Sequence, residues 1–135
     1  YTMENGYLSH KSELTSSIAL YPICKKPFEK GFKLLDEGKI KEGLEEIHYA
    51  TELLLKIVLN NNKSLEQQTN KDLEKIIELN GWGSDIKTLF PMTKDILLKT
   101  FEDKGEKNFK INLFKVEINK FIDILLLKKQ IMIIQ

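Results

Sequence analysis

The chain has 135 residues and a mass of 15.7 kDa, the size of one domain able to bury roughly two thirds of the surface its unfolded form exposes. With 41% hydrophobic and 30% charged residues it is too apolar for a disordered chain, and its lysines cut every apolar stretch below the roughly 18 residues of a membrane-spanning helix. The 21 basic and 20 acidic residues leave a formal charge of +1, so no global field draws nucleic acid or an anionic membrane, and any such contact is local.

In chain order, residues 1–20 carry scattered apolar positions without a sustained period, which predicts a tail or a loosely attached short helix. From Pro22 the pattern becomes helical: Phe28, Phe32 and Leu35, with Ile23, Cys24 and Leu34 nearby, recur at helical spacing, and Gly38 is the stop of a helix over 22–37. Ile40, Leu44, Ile47, Thr51, Leu54 and Val58 predict a second helix over 39–60 with a wide apolar face, antiparallel to the first across the tight Gly38 link and ended by Asn60-Asn61-Asn62. Ser64 with Gln67, or Thr69 with Asp72, forms a capping box for a third helix carrying Leu65, Leu73, Ile76, Ile77 and Leu79, which Asn80-Gly81-Trp82-Gly83 breaks. Ser84 is the expected N-cap of a fourth, with Ile86, Leu89, Phe90, Ile96, Leu97 and Phe101 inward and Pro91 kinking or dividing it. After a polar connection at 104–108, a last helix over 109–134 holds more apolar surface than one face can take. No segment carries a credible strand pattern, and the one place open to strand is near Met132, where β-branched residues cluster. The fold class read from this is all-α, a bundle of about five helices in up-and-down hairpins, with 1–20 as a tail and 21–135 as the bundle.

Every basic residue is a lysine. Lysine is a hydrated point charge, whereas bidentate clamps on phosphate, carboxylate or guanine need a guanidinium fork, so arginine-dependent mechanisms are excluded. The single Cys24 closes no internal disulfide and has no cysteine partner for a zinc cage, which points to a reducing compartment. The run Ile18-Ala19-Leu20 is too short for a signal-peptide core, and the expected location is the cytoplasm.

Metal ligation fails on counting: His10 and His48 lie far apart, and although Glu45, His48 and Glu52 share a helix surface, such a set is common by chance. Neither Cys24 nor any serine sits in a nucleophile signature. Gly31, Gly38 and Gly43 follow no strand and precede no Gly-Lys-Ser/Thr, so they read as helix ends or close packing, not a phosphate loop. Trp82 reads as an edge-of-core plug, and Glu45 and Glu46 point about 100° apart on their helix, unable to work as an acid/base pair. No catalytic, cofactor-binding or metal residue is therefore expected. Lys104, Lys107 and Lys110 are the best candidates for nucleic-acid contact, though acids nearby make a solvated turn the plainer reading. Phe114, Phe121, Leu125 and Met132 on the last helix are the best candidates for an interface.

Two resemblances bear on residues 28–58. Gly31, Gly38, Ile40, Gly43, Ile47 and Ala50 fall where a tetratricopeptide repeat places its packing residues, but a single copy cannot bury a solenoid's faces. A longer match runs through Leu34-Leu35-Asp36-Glu37-Gly38-Lys39-Ile40-Lys41-Glu42-Gly43, then Ala50-Thr51-Glu52-Leu53-Leu54-Leu55-Lys56, then Lys71-Asp72-Leu73-Glu74-Lys75-Ile76-Ile77-Glu78-Leu79-Asn80-Gly81-Trp82. These segments resemble the HEPN superfamily of helical domains, above all the versions attached to abortive-infection and other bacterial defence proteins. Active members are metal-independent RNases in which a histidine handles the 2′-hydroxyl proton and an arginine holds the phosphate, usually across a dimer. The corresponding stretch here, 95–110, contains neither residue, so the resemblance implies the scaffold and its self-association but not the nuclease. Glu4-Asn5-Gly6-Tyr7-Leu8-Ser9 also resembles the segment that precedes toxin domains in contact-dependent inhibition systems.

The expected function is thus a non-catalytic HEPN-like interaction, dimerisation or sensor domain of a bacterial defence or toxin-related system. Its expected partner is a second copy or another protein, with RNA weakly supported and no membrane. The alternatives are an RNase or toxin with a lysine-based site, and a tetratricopeptide-like peptide-binding hairpin with a groove along its first helix.

Overall fold

The computed structural model describes residues 2–4, 7–9, 13–69, 71–72, 84–105 and 109–134; 2–4, 7–9, 84–90 and 127–134 are described by backbone alone. Apart from a short N-terminal hairpin the described residues are all-α, with α1 at Pro22–Asp36, α2 at Ile40–Leu59, α3 at Ser84–Asp103 and α4 at Ile111–Ile134. The expected third helix lies, beyond Asp72, outside the described residues, as does Trp82. Of its two candidate capping boxes, both form. Ser64 N donates to Gln67 Oε1 at 3.0 Å and Gln67 N to Ser64 Oγ at 3.3 Å, closing a single turn. Thr69 N donates to Asp72 Oδ2 at 2.9 Å and Asp72 N to Thr69 Oγ1 at 3.1 Å, and helix opens at 71–72.

Three sequence expectations need correction. The N-terminus holds a small antiparallel hairpin, β1 (Thr2–Glu4) on β2 (Tyr7–Ser9), with Met3 opposite Leu8; alternating short segments around Asn5-Gly6 carry the hairpin signal, which a search for helical periods passes over. Met132 is helical, not strand, because the long helix preceding it carries the period onward. Pro91 does not divide its helix, which runs unbroken from Ser84 to Asp103. Ser84 is the first described residue of this helix.

Helix α1 stops as its sequence predicts. Gly38 takes φ +82°, a conformation open mainly to glycine, while Gly38 N donates to Leu35 O at 3.0 Å and Lys39 N to Leu34 O at 2.9 Å, the paired bonds that close a helix end before the chain reverses. The reversal lays α2 antiparallel on α1, and two glycines set the distance. A Cβ on Gly43 would come within 2.9 Å of Leu35 and 3.0 Å of the Gly31 carbonyl, and one on Gly31 within 3.0 Å of the Gly43 carbonyl. Backbone meets backbone there, leaving no room for a side chain.

Around this hairpin, Cys24, Phe28, Phe32 and Leu35 of α1 and Leu44, Ile47, Ala50, Leu54 and Leu55 of α2 are buried. Leu97 of α3 and Phe114, Ile118, Phe121, Ile122, Leu125 and Leu126 of α4 complete the core. The buried Thr51 satisfies its hydroxyl within α2 by donating to Ile47 O at 2.7 Å. A short 3-10 helix, Ser16–Leu20, plugs Ile18 into the core. It is held to α4 by polar bonds: Thr15 Oγ1 and Ser17 Oγ each donate to Asp123 Oδ1 at 2.6 Å, and Thr15 N donates to Asn119 Oδ1 at 2.9 Å.

One member of the inner α4 stripe is a lysine. Lys115 is buried, its Nζ 2.5 Å from Asp36 Oδ1 and 5.1 Å from the centre of the Phe32 ring. Its stem packs as a hydrophobe while its ammonium ties α4 to the end of α1. Removing the carboxylate strands a charge in the core, whereas removing the charge itself leaves a hydratable, partly exposed Asp36. Asp36→Ala is accordingly expected to destabilise by about 3 kcal/mol and Lys115→Met by less than about 1.5 kcal/mol, with urea unfolding midpoints giving the ranking.

Asp72 supplies a pH-dependent contribution. The Lys63 ammonium, 2.7 Å from Oδ2, and the Thr69 amide hold its carboxyl well below the usual carboxylate range. A group whose folded pKa is depressed stabilises at pH values above its unfolded pKa of about 4 and loses that contribution as pH falls toward the folded value. Asp72→Asn should lower the melting temperature at neutral pH, and its deficit against the unsubstituted chain should shrink as pH is lowered from about 5 to about 2, which melts followed by circular dichroism will show.

Candidate functional site

A groove of about 410 Å³ lies between the C-terminal half of α3 and the N-terminal half of α4. The chain reverses between these helices at Lys104 and Gly105, with φ of 55° and 77°, and Gly105 sits against Ile40 and Leu44 of α2, where a Cβ would collide. That anchorage fixes the closed end of the groove. Ile96, Leu113 and Val116 line it while 47%, 61% and 46% exposed; Met92, one turn before Ile96, is exposed as well. The floor is aromatic. Phe114 stands edge-on to Phe101 at 5.8 Å and lies 5.5 Å from Phe109. The polar lining comprises Lys99 and Lys110 with Asp103 and Glu117, two charges of each sign. An apolar strip of this kind, wetted only at its edges, fits an apolar helix face or strip with charges of both signs beside it.

A second, smaller cavity of about 180 Å³ opens on the other side of Phe101, lined by Lys41, Leu44, Glu45, His48 and Lys104. The His48 ring stacks on Phe101 with centroids 4.7 Å apart and planes 19° from parallel. Next to it, His48 and Glu52 of α2 and Glu66 from the Ser64–Gln68 turn bring one ligating atom each to within 4.8 Å of one another. The sequence groups His48 and Glu52 with Glu45, which lines the smaller cavity beside His48 but is not one of the three converging ligands. It misses Glu66, because the turn that returns to α2 is a tertiary feature.

Two of the lysines expected to contact nucleic acid line different cavities. Lys104 lines the smaller cavity and Lys110 the larger groove, while Lys107 lies outside the described residues. Neither cavity offers a single-sign track for a phosphate backbone. Of the expected interface residues, Phe114, Phe121 and Leu125 are 5%, 1% and 2% exposed: the core of this same chain consumes them, because α4 turns that stripe inward onto α1, α3 and the 3-10 helix. The Met132 side chain lies outside the described residues. Ile96, expected inward, is outward instead. The residues that do face solvent, Leu113 and Val116, belong to the apolar excess of α4 noted in the sequence, whose split between two faces only packing decides.

The remaining candidates take structural positions. Cys24 is wholly buried, and burial pushes its thiol up to about 11, leaving it protonated and shielded at neutral pH. Glu46 pairs with Lys30 at 3.3 Å. Gly31 and Gly43 make the interhelical contact described above, and Gly38 the turn. The inner face of α1 is buried in the core. His10 lies outside the described residues. No described helix is long and apolar enough to cross a membrane.

Comparison of the chain with family models, with curated proteins and with solved structures finds no match. The site is therefore read from its own geometry. Cys24 should resist a thiol reagent such as Ellman's reagent at pH 8 in the folded chain and react stoichiometrically once urea unfolds it; fast labelling of the native protein would contradict the burial described.

Proposed function

We propose that this chain is a non-catalytic helical interaction module that pairs with a second copy of itself along the α3–α4 groove, on the HEPN-like scaffold its motifs resemble, in a bacterial defence or toxin-related system. The observation that carries the pairing is the exposed apolar strip Ile96, Leu113 and Val116 lining the groove, with charges of both signs beside it. A two-fold interface sets one patch against its own copy, so a patch bearing both signs satisfies itself: Lys99 or Lys110 of one copy meets Asp103 or Glu117 of the other. A patch of one sign would repel its copy.

Several features support a role in contact and not in catalysis. The sequence has no guanidinium to hold a phosphate, the one thiol is buried, and Lys104 and Lys110 serve different cavities. The sensor, dimerisation and defence roles rest on the resemblance in residues 34–82.

Size-exclusion chromatography with light scattering tests the reading. The chain is expected to elute at twice its 15.7 kDa mass at high concentration, and Leu113→Asp, placed on a side chain 61% exposed, to elute at the single mass, with a melting temperature unchanged when both are compared at a dilution where both are monomers. A monomer at high concentration overturns self-pairing. Degradation of total RNA by the purified chain, lost in Lys104→Ala or Lys110→Ala, would favour the lysine-based enzyme instead.

A further inference from the structure

We infer that His48, Glu52 and Glu66 form a binding site for one first-row divalent transition-metal cation, bridging α2 to the turn that follows it. Three donors of the right chemistry converge: one imidazole nitrogen and two carboxylates, with ligating atoms all within 4.8 Å of one another. Imidazole plus carboxylate is a donor set for zinc, manganese, iron or nickel; calcium and magnesium take oxygen alone.

The contact between His48 and Glu66 distinguishes this cluster from an ordinary ion pair. His48 Nε2 lies 2.8 Å from Glu66 Oε1, yet that nitrogen is closed off from solvent and takes part in no hydrogen bond. The two atoms are within hydrogen-bond distance without hydrogen-bond direction. An edge of that length suits two ligands of one cation: with metal–ligand bonds of about 2.1 Å it subtends roughly 85° at the metal, which then sits to one side of the line joining the two atoms. A ring nitrogen whose lone pair is directed off that line is placed to reach it. Glu52 closes in by a small movement, since separations of roughly 3 to 4 Å suit ligands of one ion and all those here are within 4.8 Å.

The surroundings hold these donors in place, as outer contacts do in metal sites. Phe101 stacks on the His48 ring and fixes its plane. The amide of Leu65 donates to Glu52 Oε1 at 2.9 Å, which both orients that carboxylate and pins the turn carrying Glu66. The helical spacing of His48 and Glu52, four residues apart, puts both on one face of α2. Lys56 Nζ, 3.8 Å from Glu52 Oε2, offsets part of the negative charge in the metal-free chain. Glu66 is half exposed and leaves a side of the site open, so a bound cation keeps positions for water. Its effect is to clamp the connection after α2 onto the helix and, through the Phe101 stack, to α3.

Isothermal titration of tag-free chain with Zn²⁺ tests this, alongside melts with and without the metal. The expected result is one ion per chain, a rise in melting temperature on binding, and affinity reduced by at least about tenfold in both Glu66→Gln and His48→Gln but not in Glu45→Gln. Glu66→Gln changes an exposed side chain and should leave the metal-free melt unchanged, which separates loss of a ligand from loss of fold. No binding, or binding equally strong in all three variants and hence adventitious, overturns the site. Neither outcome depends on whether the chain pairs with itself.

Discussion

The approach of α1 to α2 at Gly31 and Gly43 is the constraint on which the rest of the molecule depends. Each glycine leaves its neighbour's carbonyl within 3.0 Å of where a Cβ would stand, so the two backbones touch and the side chains to either side interleave. Leu35 packs over Gly43 and Ile47 over Gly31. Glycine in a helix interior costs about 1 kcal/mol against alanine, a cost that makes sense only where a side chain cannot be accommodated. With this spacing set, Phe28, Phe32 and Leu35 on one helix and Ile47, Leu54 and Leu55 on the other form a common surface, and α4 lies on it.

Helix α4 is held by more than apolar burial. Hydrophobic contact is undirected, and a helix with apolar residues around much of its circumference can roll without losing much of it. Lys115 limits the roll, because its ammonium has to reach Asp36 at the end of α1. Asn119 and Asp123 limit it again, one and two turns further on, by receiving the Thr15–Ser17 segment. These polar contacts act through direction, and they determine which apolar residues of α4 are left over. Leu113 and Val116 are the ones that remain outside, beside Ile96 of α3, and the groove exists because of that choice.

The aromatic line His48, Phe101, Phe114, Phe109 runs between the two features with chemical potential in this molecule. At one end His48 faces Glu66; at the other Phe109 and Phe114 floor the apolar groove. Stacked and edge-on rings are stiff contacts, so the position of α3 is coupled both to α2 and to α4.

Residues local in sequence were legible as such. Gly38 stops α1 through bonds among residues 34–39, and the Ser64–Gln67 and Thr69–Asp72 boxes form because each needs only four consecutive residues. The apolar stripe of α2 follows from a period written in the sequence. The same period misjudged Ile96, and it named Phe114, Phe121 and Leu125 as an outer surface when they form an inner one, since periodicity gives the angle between residues on a helix and not which way the helix is turned. By itself the sequence determined helix positions, their ends, and the chemistry the chain lacks, above all any guanidinium. Tertiary structure alone decided the facing of α4, the placing of Lys104 and Lys110 on different cavities, and the meeting of Glu66 with His48, because each depends on where a distant element lies, and that is fixed by contacts between segments far apart in the chain.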